Sequence, residues 1–340
     1  MSRARLLTLA VSALGVVAFV WLSLPLPFLL GPMAACLIAA LGGARLGGMG
    51  RVQPLMRTIL GVTIGTAVTP ETVGRLPEMA MSVMLVPIFV LIIGAVGYPF
   101  FRKVCGYDHP TAFYSAMPGG LQDMLVFGEE AGGNVRTMSL IHATRVLVIV
   151  SLIPILMTTV WQLDLSVPPG TDAEAVPPHE LALMVAAALG GWWGGVKVKL
   201  FGASIIGPMI ATGALSLAGL ITHRPPAEAI LAAQFFIGLA VGTKYVGITT
   251  RELRVDVTAG VGYCLLLALI AFGFAEAVAL AGITDPLNAF LAFAPGGQSE
   301  MAIIAIIAGA DLAFVIMHHL MRVILVITLA PIANRWLGKG

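Results

Sequence analysis

The chain has 340 residues, of which 59% are hydrophobic and 11% charged, with a mean hydropathy of +0.98. A water-soluble fold, in which about a quarter of the residues carry charge, cannot hide that much apolar surface. The net charge is +2, and the 19 basic residues are scattered over short connections, so no nucleic-acid footprint forms.

The N-terminus, MSRARLLTLAVSALGVVAFVWLSLPLPF, has the basic start and apolar run of a signal peptide but no clear small-x-small cleavage site. It is read as a retained transmembrane helix. Long apolar segments follow at about 26–46, 53–70, 77–101 and 135–160, the first being about 5–23. An acidic, Pro-rich stretch at 162–179 then leads into a second set at about 180–196, 202–221, 227–246, 257–282 and 312–334. Helices need about 20 residues to cross the hydrocarbon, and outer-membrane strands would alternate instead. The expected fold is therefore an all-α polytopic membrane protein with the lipid bilayer as its medium. Cys36 and Cys264 lie in apolar segments and Cys105 in a basic connection, which suggests no disulfide framework.

A shift of 177 residues, carrying 112 onto 289, lays AFYSAMPGGLQDM over AFLAFAPGGQSEM. It also carries His142 onto His319, Arg145 onto Arg322, and Gly61, Gly65 and Thr66 onto Gly238, Gly242 and Thr243. One residue less lays the GPM at 31–33 over the GPM at 207–209. Apolar composition alone does not place Pro-Gly-Gly, His and Arg in one register, so the chain is a duplication. The first membrane repeat is 1–161, the linker 162–179 and the second repeat 180–340.

Between the fourth and fifth apolar segments of each copy lies a Pro-Gly-Gly turn, Pro118-Gly119-Gly120 and Pro295-Gly296-Gly297. Its two arms of eight to ten residues each reach about 15 Å, or half a bilayer. A re-entrant hairpin and a crossing helix broken at its middle both fit this length. With Arg3 and Arg5 inside, the hairpin count puts the acidic linker outside and Lys197, Lys199, Lys244, Arg251, Arg254, Arg335 and Lys339 inside. A crossing segment would put Lys197 and Lys199 outside, so charge placement suits the hairpin better. Five crossings per copy make the second copy face the opposite way, the inverted plan of secondary transporters. The location implied is a bacterial inner membrane, with both termini cytoplasmic.

A Pro-Gly-Gly break at membrane depth leaves backbone groups that need protein or water around them. The amides of each outgoing arm form a positive helix N-terminus, and Asp123 and Glu300 stand in that first turn, beside Gln122 and Ser299. Each acid either caps its own helix or binds a substrate or ion, because a carboxyl group held at that depth is a functional candidate by default. Arg145 and Arg322 lie eleven residues past Asn134 and Asp311, which look like N-caps, so each is about 16 Å into its helix. His142 and His319 precede them by three positions on the same face. The expected geometry pairs each arginine with a hairpin carboxylate and leaves histidine as a proton acceptor. Thr66, Thr243, Asn134 and Asp311 are candidates to line a path, although the small residues around the two threonines suit helix packing. His318 faces away from His319 and makes a poor chelate, and no metal site, HExxH, Walker A loop or nucleophile elbow appears. No enzyme activity and no cofactor beyond a coupling H+ or Na+ is expected.

At PGGLQDM and PGGQSEM, each followed by a late His-x-x-Arg, and with the doubled GPM and GxxxGT, the chain resembles the AbrB-like bacterial membrane-protein family over about 5–337. The resemblance implies a duplicated integral membrane protein. Family labels include ammonia monooxygenase and regulator. The residues favour a secondary transporter of a small solute, with an organic anion the suggested class; the alternative is a non-transporting membrane regulator or scaffold, or a membrane enzyme such as the monooxygenase label names. Self-association into a homo-oligomer is left open.

Overall fold

The computed structural model describes residues 2–74, 76–165, 170–171, 173–200 and 202–337, with Leu76, Gln122 and Ala173 described by backbone alone. The linker is thus described only in part, since 166–169 and 172 lie outside those residues. The first copy holds α1 (Arg3–Trp21), α2 (Pro27–Leu41), α3 (Val52–Gly65), the short α4 (Pro70–Gly74), α5 (Leu76–Val83), α6 (Val86–Pro99), α7 (His109–Ala116), α8 (Leu121–Glu130) and α9 (Val135–Thr159). The second holds α10 (Pro178–Lys197), α11 (Ala203–Leu217), α12 (Ala227–Gly242), the short α13 (Thr250–Glu252), α14 (Thr258–Leu280), α15 (Pro286–Phe293), α16 (Gln298–Ile307) and α17 (Leu312–Leu337). Among the described residues, six helical stretches of 19 to 31 residues are long and apolar enough to cross a membrane. The protein is a helical membrane protein.

The segments expected at 26–46 and 202–221 end early, at Leu41 and Leu217. The cause is the same in both. Gly43 and Gly219 adopt φ of +84° and +71°, and the next amides, of Ala44 and Leu220, reach back to Ala39 and Leu215 at 2.9 Å each. That left-handed glycine stop satisfies the last carbonyls and ends the helix.

Two compact units divide the chain, and each draws on both copies. The first comprises Met1–Leu76, Pro154–Val246 and Ala302–Ala313. In it α1 packs on α2 and α10 on α11 within copies, while α2 packs on α12 and α3 on α11 between copies. The doubled motifs set these crossings. A Cβ added to Gly61 would lie 2.3 Å from the Ile205 carbonyl oxygen, and one added to Gly238 would lie 2.1 Å from that of Leu29. Four residues on, Gly65 and Gly242 meet the Met209 and Met33 carbonyls in the same way. Each GxxxG helix therefore lies directly on the helix that carries the other copy's GPM, at a distance only glycine permits.

The second unit comprises Pro77–Ile153, Gly247–Met301 and Phe314–Gly340. Here α6 packs on α7 and α14, α14 on α15, and α7 on α8. Edge-to-face rings fill the contact, with Phe89 5.2 Å from Phe274 and 5.4 Å from Phe293, and Phe101 4.7 Å from Tyr263. Asp108 caps α7 through the Thr111 amide at 3.0 Å, and Asn134 caps α9 through the Thr137 amide at 3.1 Å. The Asn134 amide in turn donates to the Thr111 hydroxyl at 2.7 Å. The chain thus returns after α8 to the level at which α7 began, which makes α7 and α8 a hairpin. Beside its base, the Tyr107 hydroxyl donates to Asp256 at 2.8 Å and the Thr137 hydroxyl to the same carboxylate at 3.3 Å. Burial, with Asp256 as acceptor and neighbouring charge, holds the Tyr107 phenol far above its ordinary range.

Candidate functional site

The hairpin helices α7 and α15 have eight residues each, and α8 and α16 ten. So short a helix has its last four carbonyls without intrahelical partners. Away from water these need donors, at several kcal/mol per unsatisfied group. The His-x-x-Arg pairs supply a donor to one of them and two more to the turn that follows. His142 Nε2 donates to the Tyr114 carbonyl at 3.0 Å, and Arg145 donates to the carbonyls of Met117 at 3.4 Å and Gly119 at 3.2 Å. In the second copy His319 Nε2 donates to Leu291 at 2.9 Å, and Arg322 to Ala294 at 3.0 Å and Gly296 at 2.8 Å. All three contacts of one copy map onto those of the other under the shift of 177. One helical turn between His and Arg spans the ending helix and its turn, and the forked guanidinium reaches two carbonyls at once.

This corrects two expectations. The arginines spend their terminal N–H groups on turn carbonyls rather than on a hairpin carboxylate, because the broken helix creates acceptors closer at hand. The histidines also hold the turn. A carbonyl only accepts, so Nε2 carries the proton, and in the second copy Arg322 donates to His319 Nδ1 at 3.1 Å. A proton added to that Nδ1 would face an N–H, so His319 is blocked as a proton acceptor. His142 Nδ1, Arg145 Nε and Arg322 Nε are buried and find no hydrogen-bond partner among the described residues. Arg145 also lies within electrostatic reach of Arg322 and of Glu300. Two buried cations near one another make a field that favours an anion.

Pro118, Gly119, Pro295 and Gly296 are buried, and Gly120 and Gly297 half-buried. A Cβ on Gly119 would lie 3.0 Å from Val326 on α17, a cross-copy contact at the turn. Gly120 caps α8 without a side-chain bond. Glu300, 6% exposed, folds back over its own helix start, its Oε2 lying 2.1 Å from where a Gly297 Cβ would stand. The Ser299 hydroxyl donates to it at 2.9 Å. Its carboxylate therefore sits on the positive end of α16, the place an external anion would take. Asp123 is half-buried in the equivalent first turn. Gln122 lies on α8, with its side chain outside the described residues.

Thr66 and Thr243 end α3 and α12 in the other unit, and their hydroxyls donate to their own helix carbonyls, Thr63 at 2.8 Å and Ala240 at 3.1 Å. Asp311 directly precedes α17. His318 is held by the Phe314 carbonyl at 2.8 Å and the Ser82 hydroxyl at 3.0 Å, and its ring packs 5.4 Å from that of Phe293 at the end of α15. Two residues of the site escaped the sequence. The Tyr263 hydroxyl donates to the Ala116 carbonyl, one more orphan of α7. Gln298 opens α16 with a buried amide nitrogen that has no partner among the described residues. Neither repeats in the other copy, where Val86 and Leu121 stand, so the duplication could not flag them. A lone tyrosine within the apolar 257–282 segment was the available signal.

Comparison with known proteins follows the same outline. The family model described as "Transition state regulatory protein AbrB" matches residues 28–338. "Uncharacterized protein YhjN" of Bacillus subtilis (strain 168) is 29% identical over 296 residues, covering 82% of this chain and 76% of that protein. "Putative regulator AbrB" of Escherichia coli (strain K12) is 25% identical over 332 residues, covering 95% and 93%. The chain, with its doubled hairpin turn and His-x-x-Arg clamp, belongs to the AbrB family.

Proposed function

We propose that the chain is a secondary transporter of a small solute, by the chemistry of its site an organic anion, coupled to H+ or Na+. The observation that carries this reading is the identical clamp in both copies: a helix broken by Pro-Gly-Gly, its carbonyls tied to buried arginines, and a carboxylate on the first turn of the outgoing arm. Once Arg and His occupy the carbonyls, the exposed polarity of each break is positive. Asp123 and Glu300 neutralise it from within. A substrate carboxylate competes for the same helix ends, and a proton or Na+ on the acid removes the competitor, which couples the two ligands.

The orientation of the hairpins supports alternating access. The end of α1, the end of α9, the start of α12 and the end of α16 meet around one cavity of the first unit. A crossing segment in place of the first hairpin would put the ends of α1 and α9 on opposite sides. With hairpins, each copy crosses five times, the copies are inverted, and the turns approach from opposite faces toward midplane. Cytoplasmic termini and the inner membrane of a bacterium suit the basic residues near Arg3 and Arg335. The regulator name of the E. coli relative favours a second reading, a non-transporting membrane regulator.

Uptake into proteoliposomes, screened over small organic acids with an imposed H+ or Na+ gradient, tests the proposal. Gradient-driven uptake is expected to fall by about tenfold or more, equivalent to about 1.4 kcal/mol, in Asp123→Asn and in Glu300→Gln. Uptake unchanged in both variants would refute the coupling role, and no uptake of any solute would favour the regulator.

A further inference from the structure

The second unit carries an apolar groove that the clamp does not use. It lies between α6 and α17, over α7, and holds about 370 Å³, within the range of small-ligand sites. Phe113, Met117 and Val326 form its floor and are buried, whereas Leu91 on α6 and Leu329 and Leu337 on α17 form its rims and are exposed. Small residues, Gly94 and Ala95 on α6 and Ala333 on α17, give it width. At Gly94 the floor is Met117, whose methyl group lies 3.0 Å from where a Cβ would stand. Both walls belong to stretches long and apolar enough to cross a membrane, Pro77–Val104 and Leu312–Leu337, so the open rims meet lipid rather than water.

Length and charge name the occupant. From Pro87 to Pro99 the groove follows α6 for about 18 Å, little more than one leaflet's half of the roughly 30 Å of hydrocarbon. One end is polar. There the Tyr98 hydroxyl donates to His109 Nδ1 at 2.8 Å and His109 Nε2 to the Asn334 carbonyl at 3.2 Å, a link that ties α6, α7 and α17 and closes the groove. Arg102 and Lys103 follow Pro99 within about one turn, and Arg335 and Trp336 stand at the end of α17, all four exposed. Arg102 uses one nitrogen on the Tyr107 carbonyl at 2.8 Å; Lys103 and Arg335 extend from the surface. Exposed cations beside a tryptophan mark the headgroup level, and they attract anionic lipid. We propose that the groove binds one acyl chain of an anionic phospholipid, its headgroup at the level of Lys103 and Arg335 and its chain running along α6 to Met117. Because Arg145 holds the Met117 carbonyl, the chain end supports the first hairpin turn from the lipid side.

Phosphatidylglycerol with a photoreactive group at its chain end, mixed into phosphatidylcholine vesicles that hold the full-length protein, tests this. Irradiation is expected to attach the probe to Phe113 or Met117, which lie beneath the groove where a lipid on the outer surface cannot reach. The same group on phosphatidylcholine should label them several-fold less. Ala95→Trp, which fills the groove from its exposed rim, should abolish the adduct. The surface pair Lys103→Gln with Arg335→Gln should remove the preference for phosphatidylglycerol, and it decides the matter if Ala95→Trp does not fold. Added phosphatidylglycerol should also raise the melting temperature of the parent in detergent by several degrees, since it binds the native state, and leave that of Ala95→Trp unchanged. No adduct on α7, as a second copy of the chain seated in the groove would give, would overturn the proposal. So would equal labelling by both lipids, or labelling that survives Ala95→Trp. None of these outcomes depends on whether the hairpins transport.

Discussion

Replacing Arg322 with alanine is expected to lower stability by about 3 kcal/mol, because two buried carbonyls, Ala294 and Gly296, lose their donors at about 1–3 kcal/mol each. Arg145→Ala removes the equivalent contacts at Met117 and Gly119, but these are longer, 3.4 and 3.2 Å against 3.0 and 2.8 Å, so its effect should be smaller. Lysine in place of Arg322 should recover only part of the loss, since a point ammonium cannot fork to two acceptors as a planar guanidinium does. Melting curves of the detergent-solubilised variants check the order: Arg322→Ala lowest, then Arg322→Lys and Arg145→Ala, then the parent. An Arg322→Ala variant as stable as the parent would mean that the clamp does not hold the turn.

Alanine at Gly61 or Gly238 should be as disruptive for a different reason. The new methyl group would stand 2.3 Å from the Ile205 oxygen or 2.1 Å from the Leu29 oxygen. Both obstacles are backbone, so whole helices must separate, and overpacking of this kind is unfavourable by about 1–3 kcal/mol or more. Gly190 and Gly273 are the controls, on α10 and α14, with nothing within 4 Å of an added Cβ. There alanine should be neutral or stabilise by about 0.5–1 kcal/mol through helix propensity. The contrast is read in the same melting experiment, and equal effects at all four glycines would argue against the crossed packing of α3 on α11 and α2 on α12.

The sequence exposed much of this design because a duplication repeats its constraints. The helix segments, the Pro-Gly-Gly breaks with arms of about eight to ten residues, and the cap at Asn134 follow from hydropathy and local chemistry. So does the close packing at Gly61 and Gly238, where a GxxxG in an apolar helix calls for a facing backbone. What faces it was hidden, since nothing in the pattern says that α3 meets the other copy's α11. The partners of Arg145 and Arg322 were misjudged for a simpler reason. Charge drew attention to Asp123 and Glu300, whereas the nearest unmet acceptors were carbonyls of the turns themselves, Met117, Gly119, Ala294 and Gly296. The role of Glu300 as the cover of its own helix end was among the two options open from its position three residues past Gly297. Tyr263 and Gln298 depend on contacts between distant segments and are not repeated.

The central claim is that two equivalent hairpins enter from opposite faces and carry the site at their turns. Ala131 and Ala308, equivalent residues just beyond α8 and α16, report it directly through single cysteines. Cys36 and Cys264 are buried, so only Cys105 needs replacement by serine as background. In sealed inner-membrane vesicles of known sidedness, an impermeant thiol reagent should label Ala131→Cys from the side of the N-terminus and Ala308→Cys only from the other side. Labelling of both from one side would contradict the inverted hairpins, and with them the transporter reading built on their meeting turns.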